Sequence, residues 1–593
     1  MEQDLKKYLA CALLFFILHT LGVSYLIDVT QLTNDTPIVI ADYGVHAYNT
    51  LTLAEMYREG HSWFYDPHYM GGYPAGVIFD ISSKTTQLFT AVFGSLLGDA
   101  QAFKIFIVLS YILAPLLVYP TVRYLNFEKK KALIGLILAL ILWDLDPFLK
   151  IVVDFGGYGF ILGSYLALLT VATFYQLLQE QKIKYFVLTL LSSGAAILAH
   201  PITVIAFGVA CVYLLVQEYK NIKKKTWIQI GILPFLLFIL HSYWVLPFLQ
   251  FLVYKISSAQ YMQSVGILRI FLDVINPLNI VRSLAYGCAI IGLLQYKKNK
   301  PILALGITSA ILFVLCYIGT LVFAELGEIQ PFRFYLTLLI FLIPAATTGY
   351  FFLQQKYTWL NKLVVPLLVV ILLLYPFRVA TLVQELPAQE QELITYLEKT
   401  TDNTGRILFE TAGNNRDSSR TNVFVDHFLP LYLERQMIGG PYQYYYIKQG
   451  YANFVDSELL GKDLRTYSSE ELQKALVDFN IHWIIARKGV TKGVFDRNKE
   501  IIVQEKLIGE YAIYKIMIPT KGFSDDPKAL VVAKENEIQV TGATQQETIL
   551  KYHYLETLTT KEGFRIEPYD TGYSVPMIKV HNNGQDFTVI NSY

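Results

Sequence analysis

Hydrophobic and polar positions divide this chain into two parts. Up to about residue 382, long apolar runs alternate with short polar or basic stretches, and each run can span a hydrocarbon core of about 30 Å. The first run follows Lys6 and Lys7 and lacks a small-x-small cleavage site, so we interpret it as a signal-anchor helix. The pattern predicts about eleven membrane-spanning helices, at approximate positions 9–27, 101–122, 132–147, 156–179, 185–199, 201–217, 227–250, 279–296, 301–323, 332–354 and 362–381.

The basic residues test this helix count, because one missed or invented span would invert every later loop. With the N-terminus in the cytoplasm, about 17 Lys and Arg residues fall in inner segments and about nine in outer segments. The short basic clusters 129–131, 223–225 and 297–300 all lie inside. An odd number of spans is therefore predicted, and everything after residue 382 is expected outside the cytoplasm.

Beyond residue 382, Glu-, Gln- and Asp-rich segments alternate with short strand-like pieces. A helix is predicted over Ala388–Lys399, and the later strands are separated by Gly, Asn and Pro, which is typical of a small β-sandwich. We therefore expect a transmembrane domain, 1–382, and an extracytoplasmic C-terminal domain, 383–593, of α/β plus β-sandwich structure. Strands are predicted at Arg406–Glu410, His482–Ala486, Ala512–Ile516, Leu530–Ala533, Ile538–Thr541, Tyr573–Val580 and Phe587–Ile590.

The composition agrees with an integral membrane protein and excludes some partners. Hydrophobic residues make up 54% of the chain and charged residues 16%, and the mean hydropathy is +0.39. With 49 Lys and Arg against 48 Asp and Glu, the net charge of +1 provides no basic field for nucleic acid. The four cysteines lie inside apolar runs without Cys-x-x-Cys spacing, which indicates neither a disulfide framework nor a thiolate metal site.

The first outer loop, about residues 28–100, carries the most informative polar pattern. Asp42 and His46 precede a stretch whose apolar residues fit helical spacing loosely, which predicts a helix lying along the membrane interface. An aromatic, His- and Gly-rich turn follows and leads to Tyr73 and Asp80. Ordering so long a loop costs conformational entropy, which favours a functional role. The alternative is that Asp42 caps the helix.

Two further clusters fall on the same predicted face. Asp144 and Asp146 form an acidic D-x-D at the outer end of the third span, a spacing that can hold a divalent cation through oxygen ligands. Glu325, Glu328 and Arg333 lie in a short outer loop and at the head of the tenth span. The coincidence of these polar groups on one face favours an extracytoplasmic site.

A long first outer loop with an early Asp, many spans and an outer C-terminal domain resembles the GT-C superfamily of membrane glycosyltransferases. The stretch from Asp42 through Tyr48, Asn49 and Thr50 to Tyr73 and Pro74 is similar to the corresponding loop of the oligosaccharyltransferase catalytic subunit, as is the acidic pair at the third span. The WWDYG signature of that subunit is absent from this sequence, and 441–444 does not replace it.

The sequence pattern is still more similar to that of prokaryotic membrane proteins labelled 6-pyruvoyl-tetrahydropterin synthase-related. The shared features are the Asp-to-His loop, His200 and Pro201 at the outer end of a helix, Pro331–Phe334 entering a late helix, and the phrase 477–483 in the outer domain. That label names a weak sequence relation and implies no pterin chemistry here.

These resemblances imply glycosyl transfer from a polyprenyl-phosphate-linked donor to a glycan, lipid or protein acceptor on the outer face of a prokaryotic plasma membrane. Asp42 is the expected base for the acceptor hydroxyl, and Tyr73 and Asp80 belong to the expected substrate loop. Arg333 is expected to bind the leaving phosphate with two-pronged geometry, assisted by His46 and His200. Mg²⁺ or Mn²⁺ is expected at a metal site formed by Asp144, Asp146, Glu325 and Glu328.

The alternative function is that of a transporter or lipid-handling protein without glycosyl-transfer chemistry. Polar residues within apolar runs, such as His241, agree with it. Against it, no inverted repeat is visible, and the polar clusters lie on one predicted face, whereas transporters place theirs near the midplane of the bilayer.

Overall fold

The computed structural model describes residues 2–78, 81–258, 264, 266–276, 279–296, 298–357, 359, 382, 385–411, 423–441 and 446–592. The chain divides into two compact units. The membrane unit comprises Met1–Asp35, Ile81–Val245 and Ser257–Leu382, and the mixed α/β unit comprises Thr36–Asp80, Leu246–Ile256 and Val383–Tyr593. The first outer loop is therefore shared between the units, and the part that carries Asp42 belongs with the C-terminal residues.

The described helices are numbered here in chain order. They are α1 Glu2–Ile27, α2 Tyr43–Arg58, α3 Lys84–Leu97, α4 Asp99–Leu113, α5 Val118–Tyr124, α6 Lys129–Leu145, α7 Pro147–Asp154, α8 Tyr158–Glu180, α9 Ile183–Ala199, α10 Thr203–Glu218, α11 Lys224–Phe251, α12 Ile267–Ile275, α13 Ile280–Gln295, α14 Lys300–Val314, α15 Thr320–Val322, α16 Phe334–Lys356, α17 Ala388–Thr400, α18 Pro430–Leu433, α19 Ser469–Asp478 and α20 Gly489–Phe495.

The described strands all belong to the mixed α/β unit. They are β1 Phe64–Asp66, β2 Tyr73–Ala75, β3 Arg406–Phe409, β4 Met437–Ile438, β5 Phe454–Val455, β6 Glu458–Leu459, β7 Lys462–Asp463, β8 Ile481–Ala486, β9 Ile502–Ile508, β10 Tyr511–Ile516, β11 Leu530–Lys534, β12 Glu537–Thr541, β13 Thr548–His553, β14 Leu558–Thr560, β15 Arg565–Tyr569, β16 Met577–His581 and β17 Phe587–Asn591.

The described residues contain fewer full-length spans than the eleven expected. Seven continuous helical stretches are long and apolar enough to cross a membrane: Leu5–Ile27, Asp99–Tyr124, Tyr158–Glu180, Thr203–Asn221, Lys224–Tyr254, Lys300–Val322 and Pro331–Lys356. The bent pair α6 and α7 makes an eighth if it is one span, while α9 and α13 are apolar but shorter. The predicted span 362–381 lies outside the described residues. The fold class is confirmed, and the count of eleven is not.

The break between α6 and α7 follows from two adjacent residues. Asp146 has an extended backbone, with φ −79° and ψ 119°, and Pro147 begins α7. Proline disfavours a helical conformation for the residue before it but fits the first position of a helix. The Asp146 carboxylate accepts hydrogen bonds from the N–H groups of Phe148 and Leu149, so it caps α7. The two helices meet at a 64° bend.

Close packing of α13 against α16 depends on two glycines. A Cβ on Gly349 would lie 1.8 Å from the Cys288 carbonyl oxygen, and a Cβ on Gly292 would lie 1.9 Å from the Ala345 carbonyl oxygen. Small residues allow such backbone approach between helices in membranes. This packing fixes α13, which carries Arg282, against α16, whose first residue directly follows Arg333.

The described residues of the C-terminal part of the mixed α/β unit form one mixed sheet and three antiparallel sheets. The five-stranded sheet has the order β4-β3-β8-β10-β9, with β4, β3 and β8 parallel and β8, β10 and β9 antiparallel. The antiparallel sheets are β11-β12-β17-β14, β13-β16-β15 and the short β5-β6-β7, and their buried residues share one core. The predicted helix and strands are found, whereas β4 to β7, β9 and β13 to β15 were not predicted.

The helix predicted along the membrane interface belongs to the core of the mixed α/β unit. Eleven of the sixteen residues of α2 are buried, and Val45, Tyr48, Leu53 and Met56 pack in the same core as strands β3 and β8. Loose apolar spacing does not reveal that a helix is buried on several of its faces, and the position of α2 along the membrane interface stays a prediction.

Candidate active site

Asp42 immediately precedes the first turn of α2. Its backbone is helical, with φ −74° and ψ −9°, and its side chain is half-buried. A capping carboxylate accepts a hydrogen bond from an N–H group in the first turn. The Asp42 carboxylate accepts none from the first turn, 43–46, which the structure describes in full. The geometry does not support the helix-cap alternative, and the role of Asp42 as a base stays a prediction.

His46 lies one helical turn after Asp42. Its backbone N–H donates to the Asp42 carbonyl oxygen at 3.0 Å, and both side chains are half-buried. Residues four positions apart project from the same face of a helix. The two polar residues predicted in the first outer loop are therefore brought to one face of α2.

Arg333 and His200 are in direct contact in the membrane unit. Arg333 is the last residue of the short 3-10 helix that leads into α16, and His200 directly follows the last residue of α9. The Arg333 Nη1 lies 3.1 Å from His200 Nε2. Because a guanidinium has no acceptor, it must donate this bond, which requires a neutral imidazole with its proton on Nδ1. The Arg333 Nε is buried and has no hydrogen-bond partner among the described residues.

Each carboxylate of the predicted D-x-D pair binds a different basic side chain. Asp146 receives two hydrogen bonds from Arg282, Nε to Oδ2 at 2.6 Å and Nη2 to Oδ1 at 2.8 Å. Arg282 Nη1 also donates to the Tyr335 hydroxyl. Asp144 Oδ1 lies 3.0 Å from His19 Nδ1, and both side chains are almost fully buried. The pair is thus occupied within the protein and does not offer adjacent oxygens to a cation.

The glutamates of the predicted metal site are also placed unfavourably for that role. Both carboxylate oxygens of Glu328 accept hydrogen bonds, from the Ser257 hydroxyl at 2.6 Å and from the Ser258 N–H and hydroxyl at 3.0 Å. Glu325 is exposed. Within the described part of the chain, no group of three or more His, Cys, Asp and Glu side chains could hold a metal ion. The expected site at Asp144, Asp146, Glu325 and Glu328 therefore does not fit a divalent cation.

The aromatic turn of the first outer loop is a packed element. Tyr73 is fully buried in β2, which pairs with β1, and it belongs to the core of the mixed α/β unit. The Tyr65 N–H donates to Asn536 Oδ1 at 2.8 Å, and the Tyr65 hydroxyl donates to the His553 carbonyl at 2.9 Å. This packing accounts for the burial of the aromatic side chains, and the role of the turn as a substrate loop stays a prediction. Asp80, the other expected substrate-loop residue, lies outside the described residues.

A polar cluster that the sequence analysis missed surrounds Asp66. The fully buried carboxylate accepts from the Tyr48 hydroxyl at 2.8 Å and from the His68 N–H at 2.8 Å, and His68 Nδ1 lies 3.2 Å away. Glu535 lies 3.5 Å from the same imidazole nitrogen. Burial acts to lower the His68 pKa, but the hydrogen bond and charge of Asp66 and the charge of Glu535 raise it above its ordinary value.

Part of the membrane unit is similar to a known family. A family profile described as dolichyl-phosphate-mannose-protein mannosyltransferase matches residues 84–244. No curated protein sequence matches the chain significantly.

Several solved membrane glycosyltransferases share the fold. The oligosaccharyltransferase of Archaeoglobus fulgidus, in complex with Zn and sulfate, aligns with 83% of this chain and 71% of its own at a TM-score of 0.51 and 12% identity. ArnT from Cupriavidus metallidurans aligns with 85% of this chain and 97% of its own, at a TM-score of 0.50 and 13% identity. The arabinofuranosyltransferase AftD from mycobacteria aligns with 85% of this chain and 41% of its own, at a TM-score of 0.53 and 12% identity. At these identities the likeness shows the fold alone, and it is the GT-C fold that the resemblance predicted.

Proposed function

We propose that this chain is a membrane glycosyltransferase that transfers a sugar from a polyprenyl-phosphate-linked donor to an acceptor hydroxyl on the outer face of a prokaryotic plasma membrane. The observation that carries the proposal is the contact between Arg333 and His200, two residues selected independently from the sequence. A guanidinium held at the head of a helix in a GT-C fold has the charge and geometry that a leaving phosphate requires.

The phosphate step uses the nitrogens of Arg333 that His200 does not engage. His200 accepts from Nη1 and so fixes the plane of the guanidinium. The buried Nε lacks a partner among the described residues, which leaves a donor with a desolvation cost that a phosphate oxygen would relieve. Charge-assisted bonds from Arg333 then stabilise the negative charge that develops as the sugar–phosphate bond breaks.

The acceptor step uses Asp42. Its carboxylate takes the proton of the acceptor hydroxyl, the acceptor oxygen forms a bond to the anomeric carbon, and the bond from that carbon to the phosphate oxygen breaks. The polyprenyl phosphate leaves with the electron pair of the broken bond. His46, on the same face of α2, supplies a hydrogen bond to the departing group. The acceptor is a glycan, lipid or protein hydroxyl, and no step in this scheme passes through a metal ion.

The direct test is transfer by the purified full-length chain in proteoliposomes that contain a fluorescent polyprenyl-phosphate sugar and total envelope extract as the acceptor source. We expect the Asp42→Asn variant to lose about two to four orders of magnitude in turnover with unchanged thermal stability. Asp28→Asn is the matched control, because Asp28 accepts the Thr30 N–H and hydroxyl and acts as a real cap. Near-normal turnover by Asp42→Asn would remove the proposed base. Donor binding without turnover by the wild type, with transbilayer movement of the lipid, would favour the transporter alternative.

A further inference from the structure

The backbone immediately before Asp42 adopts a strained conformation. Ala41 has φ +46°, in the left-handed region that residues with a Cβ rarely occupy. The Tyr43 N–H donates to the Ile40 carbonyl at 3.0 Å and closes a tight turn around Ala41 and Asp42. Such strain persists only where the surroundings hold it, and it concentrates at functional sites.

A segment of the C-terminal part of the same unit holds this turn. Val423 forms an isolated antiparallel bridge with Ile40, and the ring of His427 hydrogen-bonds the Ala41 carbonyl. A Cβ on Gly44 would lie 2.8 Å from the Phe428 ring, so the segment and α2 are in close contact. We call residues 423–428 the brace.

The brace is itself fixed by buried polar contacts. Asp426 is fully buried, its Oδ2 accepts the Thr411 hydroxyl at 2.7 Å, and its carbonyl accepts the Tyr69 hydroxyl at 2.9 Å. His427 is almost fully buried and stacks on Phe424 with ring centroids 4.9 Å apart. A donor held in this way has little rotational freedom and defines the position of the carbonyl that it binds.

We infer that His427 is a positioning residue for the proposed base, because its ring fixes the strained Ala41 peptide and thereby sets where the Asp42 carboxylate lies. The inference rests on the proposed function. It assigns the C-terminal domain a part in catalysis without a contact to substrate, since the brace acts on Asp42 through the backbone.

The charge state of His427 suits this role. Burial lowers its pKa, the charge of Asp426 and the Ala41 carbonyl act to raise it, and the charge of Arg487 acts to lower it. The balance is a lowered pKa, so the ring is neutral at physiological pH and donates without bringing a competing charge near Asp42.

The test separates positioning from packing with two substitutions at the same site. His427→Phe keeps the stacked ring and loses the donor, whereas His427→Gln keeps a donor and loses the ring. We expect His427→Phe to lower kcat by about 10- to 100-fold with the KM for the donor lipid within about twofold, because a small displacement of a catalytic group has effects of this size. His427→Gln should recover part of kcat. Adding Ala41→Gly to His427→Phe should lower kcat further, since glycine relaxes the turn that the ring no longer holds.

Hydrogen exchange of the peptide 38–46 provides a readout that does not depend on activity. We expect faster exchange in His427→Phe than in the wild type and intermediate exchange in His427→Gln. A His427→Phe enzyme with wild-type kcat and exchange overturns the inference, as does equal loss of kcat in both variants with unchanged exchange. If His427→Phe does not fold, the Gln variant and Ala41→Gly alone decide by the same two measurements. Full activity of Asp42→Asn would instead defeat the proposed base itself, so the two failures are distinguishable.

Discussion

Arg282 binds Asp146 through both carboxylate oxygens, at 2.6 and 2.8 Å, in the interior of the membrane unit. Both side chains are nearly inaccessible, at 4% and 0% exposure. The same carboxylate caps α7, so one ion pair joins α13 to the break between α6 and α7. A buried pair of this kind fixes the geometry of the broken helix, because leaving either charge alone would be costly.

Arg282→Gln should therefore destabilise the protein strongly. Removing one partner from a buried ion pair costs about 3–5 kcal/mol, and Asp146→Asn together with Arg282→Gln should recover part of the loss. Thermal unfolding in detergent measures both effects. The control is Lys182→Gln, which breaks the exposed contact with Glu180 and should barely change the midpoint. Equal midpoints for Arg282→Gln and Lys182→Gln would show that the buried pair adds nothing.

Gly72 lies between β1 and β2, and a substitution there tests how tightly this pair of strands is packed. A Cβ there would lie 1.9 Å from the Tyr65 hydroxyl oxygen, which is bonded to the His553 carbonyl and cannot move without losing that bond. Gly60 has a similar backbone conformation, with φ +92° where Gly72 has +100°. A Cβ added at Gly60 would meet no atom within 4 Å. Gly60→Ala should cost only the strain of positive φ, about 1–2 kcal/mol. Gly72→Ala should lower the unfolding midpoint by several degrees more, and similar midpoints would contradict the tight packing.

The membrane-embedded fold could be predicted because hydrophobicity and helix length are local properties of the sequence. The partners of Asp144 and Asp146 could not be predicted, because they are distant in the sequence. His19 is 125 residues from Asp144, and Arg282 is 136 residues from Asp146. The long-range packing of the aromatic turn could not be predicted for the same reason. Tyr65 is covered by Asn536, 471 residues away, and a single sequence gives no sign of such a contact. The contact between Arg333 and His200 joins two predicted residues, but their direct pairing also needed the structure.

The polar cluster around Asp66, which includes His68, predicts a specific dependence of stability on pH. The folded-state pKa values of His68 and Glu535 are both raised, and Asp66, Glu434 and Glu535 are the acidic groups whose charges act on His68. A group with a raised folded-state pKa contributes stability that is complete below its unfolded-state pKa and is lost as pH rises through the folded-state value. For His68 this loss begins above the ordinary imidazole value of about 6.5.

We therefore expect the unfolding midpoint to fall as pH rises above about 6.5 in the wild type, with a smaller fall in His68→Gln. His482→Gln is a control of opposite sign, because burial lowers the pKa of His482 and its contribution is lost as pH falls. That variant should be less sensitive to acid and should keep the wild-type slope above pH 6.5. A His68→Gln variant with the full alkaline slope would assign the slope to other groups.

The proposed orientation predicts which surfaces are accessible from outside intact cells. In a background without the four native cysteines, Glu470→Cys should react with a membrane-impermeant thiol reagent, and Lys224→Cys should react only after permeabilisation. Both positions are exposed in their units, so accessibility reports the side of the membrane. Labelling of Lys224→Cys and protection of Glu470→Cys in intact cells would invert the topology and place the proposed site in the cytoplasm.

Arg333→Lys distinguishes a geometric phosphate contact from a diffuse positive charge. A lysine ammonium keeps the positive charge, but it has no planar group for His200 to orient. It also cannot bind phosphate with two parallel donors. We expect about a 10-fold or greater loss of kcat/KM for the polyprenyl-phosphate donor in Arg333→Lys, and a larger loss in Arg333→Ala. Arg269→Lys is the control, because Arg269 is exposed and pairs with Asp273 at 3.1 Å within one helical turn. Wild-type transfer by Arg333→Lys with failure of Arg333→Ala would reduce the contact to charge alone, and wild-type transfer by both would remove Arg333 from the reaction.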